Sequence, residues 1–193
     1  MDTRTIFFIG KPGCGKGDQA KLLSKKTGWP IKSTGEEFRA ILNEQTPLGR
    51  KVKQVNDTGL LQPHWLASYL FLKQLFALAE DDGIIFDGVA RKVPEAELVI
   101  DALQWLNRPF SVVHLRVSDE EIKHRIALRK EIEGRADDNV VDERLKEFGI
   151  FTEPVIEMFR TAGMLIEIDG ERTREEIAED ICKVLSIEPS TGC

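Results

Sequence analysis

Residues 10–17 carry a glycine-rich pattern, Gly-Lys-Pro-Gly-Cys-Gly-Lys-Gly, of the kind that binds phosphate groups. The pattern follows the apolar run at 5–9 and precedes a segment with helical apolar spacing. Its glycines let the chain curl so that successive backbone N–H groups point inward, and a helix start adds further N–H groups and a positive dipole end. Lys16 is then placed to reach the β- and γ-phosphates of a nucleotide.

Cationic side chains are the second chemical feature of the sequence. Transfer of a phosphoryl group needs several cations around the phosphates, a means of holding Mg²⁺ and the exclusion of water. A lone surface arginine is usually a solvated charge, but several cations fall together on the predicted ligand side of this chain. They are Lys16, Arg39, Arg91, Arg125, Arg129, Arg135 and Arg144. This set predicts a phosphoryl transferase.

The elements that must position these residues follow from hydrophobic patterning. Apolar runs predict strands at 5–9, 29–32, 83–87, 110–117 and 164–168. Helical patterns lie among them at 64–80, 94–106, 119–131, 140–162 and 173–185. This alternation indicates a three-layer, doubly wound α/β domain with a five-stranded parallel sheet, of the P-loop NTPase type. Because ligands bind at the carboxyl ends of such strands, we expect one crevice lined by the phosphate loop, 33–35, 87–91 and the residues after Val117.

Two segments depart from the simple alternation of strand and helix. Residues 34–62 read as a helical insertion, and residues 129–139 read as a short, highly charged connection. We interpret both as flaps over the crevice of a single domain that spans residues 1–193, with a flexible tail at 188–193.

Composition and sequence patterning disfavour several classes of function. The net charge of −6 disfavours general attraction to nucleic acid or to an anionic membrane. We expect no signal peptide, since Met1-Asp2-Thr3-Arg4 leads directly into the first strand, and no apolar run approaches the roughly 20 residues that span a bilayer. Cysteines at 14, 182 and 193 show neither metal-site spacing nor a disulfide framework. A cytoplasmic protein without nucleic-acid or membrane partners is the expectation.

Four segments, in order and spacing, resemble the adenylate kinase family. They are the phosphate loop at 10–17, Ser33-Thr34-Gly35-Glu36-Glu37-Phe38-Arg39, Asp87-Gly88-Val89-Ala90-Arg91 and Arg135-Ala136-Asp137-Asp138-Asn139. The resemblance implies reversible phosphoryl transfer between ATP and AMP to give two ADP. It implies direct in-line transfer without a phosphoenzyme, with 34–62 as the flap that binds the monophosphate and 129–139 as a short lid. Enzymes of this kind are commonly monomers, so a monomer is expected.

The resemblance also assigns roles to individual residues. It implies ATP contacts by Gly13, Cys14, Gly15, Lys16, Gly17, Asp18, Arg125, Arg129 and Arg172. It implies AMP contacts by Thr34, Arg39, Leu60, Leu61, Gln62, Gly88, Arg91, Glu95, Arg135 and Arg144. The catalytic set would be Lys16, Asp87, Arg91, Arg129, Arg135 and Arg144.

The chemistry implied for the metal is indirect. Asp87 would orient waters around a Mg²⁺ ion that the phosphates hold, with no direct protein ligand, and the short lid lacks a cysteine quartet, so no structural zinc is expected. No general base is needed because the acceptor is already a phosphate oxyanion. Catalysis would rest on positioning and on charge stabilisation.

Asp18 departs from the family pattern, which has threonine at this place. A carboxylate there should repel phosphate. Three interpretations remain open from the sequence: an aspartate that points outward or acts through water, an aspartate linked to Mg²⁺, and impaired use of ATP. The last would make the chain a weakly catalytic nucleotide-binding protein.

Glu95 is a second departure, since the family reads AMP with glutamine here. An amide both donates and accepts hydrogen bonds, as adenine N1 and N6 require, whereas a carboxylate only accepts and suits guanine better. Against this, Ser33-Thr34-Gly35 follows the adenine type of pattern. A kinase for GMP, or for UMP and CMP, is the alternative, and Glu95 can also serve as a helix cap.

Two further departures concern spacing and turn chemistry. Val89-Ala90 replaces the phenylalanine-proline of the family before Arg91, which predicts a softer turn. The gap from Asp138 to Arg144 is shorter than usual, so the helix after the lid must start differently for Arg144 to reach the site.

Overall fold

A computed structural model describes residues 3–132 and 139–187. The strands are β1 (Thr5–Ile9), β2 (Ile31–Ser33), β3 (Ile84–Asp87), β4 (Phe110–Arg116) and β5 (Leu165–Asp169). They form one sheet in the order β2-β3-β1-β4-β5, and every neighbouring pair is parallel. The predicted doubly wound α/β fold with a five-stranded parallel sheet is confirmed.

Helices cover both faces of the sheet. They are α1 (Lys16–Thr27), α2 (Thr34–Leu42), α3 (Pro47–Asp57), α4 (His64–Leu75), α5 (Val93–Trp105), α6 (Asp119–Ile132), α7 (Val141–Glu147), α8 (Glu153–Thr161) and α9 (Arg174–Val184). A π-helical turn at Phe148–Thr152 joins α7 to α8. Within the described ranges, no helix is both long enough and apolar enough to cross a membrane.

The core has two halves because alternate residues of each strand face opposite layers. On β1, Phe7 and Ile9 join a cluster that includes Phe71 of α4 and Phe159 of α8. Ile6 and Phe8 join the other cluster, which draws on α1, α6 and α9. The central strands β1 and β3 are buried on both faces and almost continuously apolar, and this is why the sequence shows them clearly.

Three predicted elements differ from the structure by more than a one-residue shift of an end. The helix expected at 64–80 ends at Leu75, and its last predicted residues belong instead to a turn in which the Asp82 carboxylate accepts a hydrogen bond from the Ala79 backbone N–H. The strand expected at 29–32 runs from Ile31 to Ser33; Pro30 has no N–H for the ladder and contributes only its carbonyl, which accepts from Ile85.

The helix expected at 140–162 is interrupted in its middle. Pro154 has no N–H to donate to the carbonyl one turn earlier, and the chain widens into the π-helical turn just before it. There the backbone N–H of Glu153 donates to the carbonyl of Phe148. The interruption divides the helix that the sequence predicts as continuous into α7 and α8.

The insertion at 34–62 contains α2 and α3, and the sheet adds no strand from it. The predicted lid is only partly described. Arg129 lies within α6, which continues to Ile132, whereas Arg135 lies outside the described residues. Its assigned role stays a prediction.

Candidate active site

The carboxyl ends of three strands meet beside the phosphate loop. In the parallel register Ser33 pairs with Asp87, and Phe8 pairs with Asp87 from the other side. The loop that follows β1 therefore lies over the ends of β2 and β3. A cleft of about 900 Å³ opens at this edge, and its walls come from α1, α2, α6 and α9 as well as from these loops.

The phosphate loop has the backbone that the glycine pattern predicts. Gly13 and Gly15 have φ values of +84° and +97°, a region that L side chains rarely adopt. A Cβ atom at Gly13 would lie 2.8 Å from Cγ1 of Ile126 on α6, so the loop and this helix are in close contact. Gly15 directly precedes α1, and it lines the cleft together with Lys16, Gly17 and Asp18.

Lys16 is held by the loop that it belongs to. Its ammonium donates to the carbonyl oxygens of Gly10 at 2.7 Å and Lys11 at 2.8 Å, and it lies 3.5 Å from the Cys14 sulfur. Cys14 is buried beneath the loop, with 1% of its surface exposed. The Lys16 ammonium is therefore held where the loop N–H groups and the helix dipole already favour an anion.

Asp87 lies at the floor of the cleft. Its carboxylate accepts a hydrogen bond from the Ser33 hydroxyl at 3.3 Å, and a Cβ atom at Gly17 would lie 3.7 Å from the same oxygen, Oδ2. Carboxylate oxygen beside a phosphate loop is the donor chemistry that suits Mg²⁺, which keeps several waters and also binds phosphate oxygens. Among residues 3–132 and 139–187 no group of three or more histidine, cysteine or acidic side chains is arranged to hold a metal.

Arg91 is fixed from three directions. Its Nε donates to the Gly88 carbonyl at 2.9 Å, its carbonyl accepts from the Thr152 hydroxyl at 3.1 Å, and its backbone N–H donates to Glu95 Oε2 at 2.8 Å. Gly88 and Ala90 both have positive φ, +77° and +58°. The turn that replaces phenylalanine-proline is buried at Val89 and Ala90, and its Gly88 carbonyl accepts from the Arg91 side chain; that it is softer stays a prediction.

Glu95 is a buried carboxylate that lines the cleft, with 4% of its surface exposed. Burial raises its pKa, while the hydrogen bond from Arg91 and the charges of Arg91 and Lys92 oppose that rise. Glu95 caps the loop before α5, which is one of the alternatives that the sequence leaves open for it. It also lies at the cleft wall.

The segment at 59–62 is attached by residues that the sequence analysis did not single out. The Leu61 backbone N–H donates to Glu147 Oε2 at 2.9 Å, and Lys92 donates to the carbonyls of Leu61 at 3.4 Å and Gln62 at 3.1 Å. Gln62 in turn donates to the Val52 carbonyl on α3 at 2.9 Å. A single sequence offers no signal for such contacts between distant segments.

Thr34 and Arg39 lie on α2. Thr34 begins α2 and is nearly buried. The Arg39 guanidinium lies over the first turn of this helix, since a Cβ atom at Gly35 would be 3.3 Å from its Nη1. Both side chains line the cleft with Leu60, Leu61 and Gln62.

Arg125 joins α6 to two loops at the cleft rim. It donates to the Gly170 carbonyl at 2.9 Å and the Cys14 carbonyl at 3.4 Å, and it pairs with Glu121 at 2.6 Å.

Arg172 also lines the cleft and pairs with Asp180 of α9. Arg129 and Arg144 belong to the same lining, so the described cations that the sequence predicted at the site share one cleft.

Asp18 faces a cation that the sequence analysis missed. Its Oδ2 lies 3.3 Å from Nη2 of Arg174, the first residue of α9. The adjacent Gln19 donates its side-chain amide to the Arg174 carbonyl at 3.0 Å. Both members of the Asp18–Arg174 pair line the cleft.

Comparison with known proteins agrees with this geometry. A family profile described as Adenylate kinase matches residues 8–164. A protein named Adenylate kinase from Cyanothece sp. is 36% identical over 179 residues, which covers 91% of this chain and 92% of that protein. Proteins of the same name from Leptospira biflexa and Thermus thermophilus are 34% and 35% identical, covering 93% and 95% of this chain and 98% of each relative.

Proposed function

This chain belongs to the adenylate kinase family, and from that premise we propose that it catalyses Mg²⁺-dependent, reversible phosphoryl transfer from ATP to AMP to give two ADP. The observation that carries the proposal is the shared cleft. It joins the phosphate loop, with Lys16, to a second group of residues around Arg91 and Glu95. A kinase for a nucleoside monophosphate needs a donor subsite and an acceptor subsite that meet.

The donor subsite would be formed by the phosphate loop and α6. The N–H groups from Gly13 to Gly17 and the ammonium of Lys16 would bind the ATP phosphates, and the guanidinium of Arg125 would lie against the adenine ring. Arg172 would add a contact at the rim. The bonds that hold Arg125 to the carbonyls of Cys14 and Gly170 support a fixed position for it.

The acceptor subsite would lie between α2 and α5. Arg39 and Arg91 would bind the AMP phosphate, since a guanidinium holds two phosphate oxygens at once and stays charged. Thr34, Gly88, Glu95 and the segment 60–62 would surround the ribose and base. Two hydrogen bonds fix the Arg91 backbone and a third, from Nε to the Gly88 carbonyl, holds its guanidinium. They support its role, because a pre-positioned cation loses little freedom on binding.

The transfer step would be in-line attack of an AMP phosphate oxygen on the γ-phosphorus of ATP, with ADP as leaving group. Arg91, Arg129, Arg135 and Arg144 would stabilise the charge that spreads over the transferring oxygens. Asp87 would hold waters of the Mg²⁺ shell, and the bound ion would neutralise phosphate charge. The flaps at 34–62 and 129–139 would exclude water, in a monomer that acts in the cytoplasm.

The test is ADP formation from ATP and Mg²⁺ with AMP, GMP, CMP or UMP as acceptor. We expect fast turnover with AMP, and a loss on the order of 10³-fold or more in kcat for Arg91→Ala if it stabilises the transferring charge. Arg160→Ala is the matched control, since Arg160 pairs with Glu157 and Glu167 outside the cleft lining. Preference for another monophosphate would overturn the choice of AMP, and ATP binding without turnover would overturn the proposed catalysis.

A further inference from the structure

Asp18 brings a negative charge to the part of the cleft where an anion should bind. It is the third residue of α1, directly after the residues of the phosphate loop. A carboxylate is favourable near a helix N-terminus, because it interacts with the positive end of the dipole. The same carboxylate competes with a bound phosphate for that end and repels it.

Arg174 is built into a position opposite this charge. Two neighbouring residues of α1 contact it: Asp18 pairs with its guanidinium at 3.3 Å, and Gln19 donates to its backbone carbonyl at 3.0 Å. Gln19 is 2% exposed, so its amide fixes the first residue of α9 from within the core. Thr173 and Glu176 form a capping box, which holds the start of this helix from the other side.

The ion pair itself is suited to modulating a ligand rather than to stabilising the fold. The side chains of Arg174 and Asp18 are 71% and 46% exposed, and exposed pairs contribute little to folding stability. Both side chains line the cleft, and Thr173 and Arg172 line it beside them. A charge at this place therefore acts mainly on what enters the cleft.

We propose that Arg174 is a positioning residue for ATP that acts through Asp18: its guanidinium neutralises the carboxylate and draws it away from the phosphates, and so makes the phosphate loop of this chain compatible with ATP. The inference rests on the proposed function for the identity of the nucleotide. Of the interpretations that the sequence leaves open for Asp18, this role of Arg174 favours a tolerated carboxylate, and the pairing explains why it is tolerated.

The experiment is a charge-deletion cycle on ATP binding. Equilibrium binding of ATP with Mg²⁺ is measured by calorimetry for the wild type, Arg174→Gln, Asp18→Asn and the double variant, and KM and kcat follow for both substrates. We expect Arg174→Gln to weaken ATP binding roughly three- to tenfold, because solvent screens a half-exposed charge. The double variant should return to within about twofold of Asp18→Asn, since removing the carboxylate removes the need for its partner.

Four results separate this role from a structural one. Arg174→Lys should largely rescue ATP affinity, and Arg160→Gln, which changes net charge equally away from the cleft, should leave it unchanged. The KM for AMP and kcat should stay within about twofold in Arg174→Gln. The interaction between the two mutations should also shrink at high salt.

Two outcomes would overturn the inference. One is unchanged ATP affinity in a folded Arg174→Gln protein, with folding checked by thermal unfolding. The other is a double variant as weak as Arg174→Gln alone, which would mean that Arg174 contacts ATP directly. Since ATP binding is measured without any monophosphate, a failure of transfer to AMP would count against the proposed function and not against this inference.

Discussion

The backbone N–H of Arg91 donates a hydrogen bond of 2.8 Å to the carboxylate of Glu95, one turn into the next helix. Glu95 therefore holds the loop that carries the Arg91 cation, and it also forms part of the cleft wall. Glu95 has two oxygens, and this bond engages Oε2. The chemistry that Glu95 offers to a base depends on whether the carboxyl group is ionised.

Glu95→Gln should improve the use of AMP relative to GMP. An amide supplies both the donor for adenine N1 and the acceptor for its N6 amino group, whereas an ionised carboxylate supplies acceptors alone. We expect the ratio of kcat/KM for AMP over GMP to rise by roughly tenfold or more, since leaving a buried polar group unmatched is costly. Steady-state kinetics at neutral pH measures the ratio, and an unchanged ratio would place Glu95 away from the base.

The same substitution should change how stability depends on pH. Burial raises the folded-state pKa of Glu95 above its ordinary 4.5. Because the folded state then binds the proton more tightly than the unfolded state, this proton stabilises the folded wild type below pH 4.5, and the contribution is lost as pH rises through the raised pKa. The stability of Glu95→Gln minus that of the wild type should therefore increase with pH across this window, with a slope of at most about 1.4 kcal/mol per pH unit. Urea unfolding at several pH values measures it; a difference that does not vary with pH would contradict the prediction.

Glu147 should control the use of AMP without affecting ATP. It is buried, and its Oε2 accepts from the Leu61 N–H at 2.9 Å. Glu147→Leu removes the acceptor, leaves that N–H unpaired, and should raise the KM for AMP several-fold while lowering stability by about 1–3 kcal/mol. Glu147→Gln keeps an acceptor oxygen and is the matched control. An equal rise in the KM for ATP would show a global effect instead.

The central strands and the phosphate loop were predictable because their signals are local. Buried parallel strands are continuous apolar runs, and glycines at 13 and 15 mark the backbone that a phosphate loop requires. The turn at Ala90 was less predictable, since its positive φ is adopted by a residue with a side chain and is stabilised by the surrounding bonds. The interruption before Pro154 was missed because apolar spacing continues through it.

The hydrogen bonds that hold the cleft walls in place could not be predicted, because they join residues far apart in the chain. Gln19 and Arg174 are separated by 155 positions, and Leu61 and Glu147 by 86. The sequence indicates that Asp18 is unusual, but only the approach of α9 to α1 reveals its partner. The assigned roles of the cleft residues stay predictions until variants are measured.

Gly13→Ala should impair ATP binding more than an equally strained substitution elsewhere. Both Gly13 and Gly28 have positive φ, +84° and +75°, so alanine is strained at either position by about 1 kcal/mol. A Cβ atom at Gly28 meets nothing within 4 Å, whereas one at Gly13 lies 2.8 Å from Ile126. We expect ATP affinity to fall at least tenfold in Gly13→Ala and to be retained in Gly28→Ala. Equal loss in both, measured by calorimetry, would assign the effect to general destabilisation.

His114 should make the protein less stable in mild acid. It lies on β4 opposite Glu167 on β5, and burial lowers its pKa from 6.5 to about 4, although the Glu167 charge opposes that change. A depressed folded-state pKa gives stability that is present above pH 6.5 and is lost as pH falls towards 4, because the unfolded chain takes up a proton that the folded one refuses. The loss is on the order of 3 kcal/mol. The free energies of unfolding of the wild type and His114→Phe, measured with urea, should diverge across this range.

Glu167→Gln should move the His114 resonance to a still lower midpoint in an NMR titration, because the carboxylate charge that favours the protonated imidazole is gone. A midpoint near 6.5 in the wild type would refute the prediction.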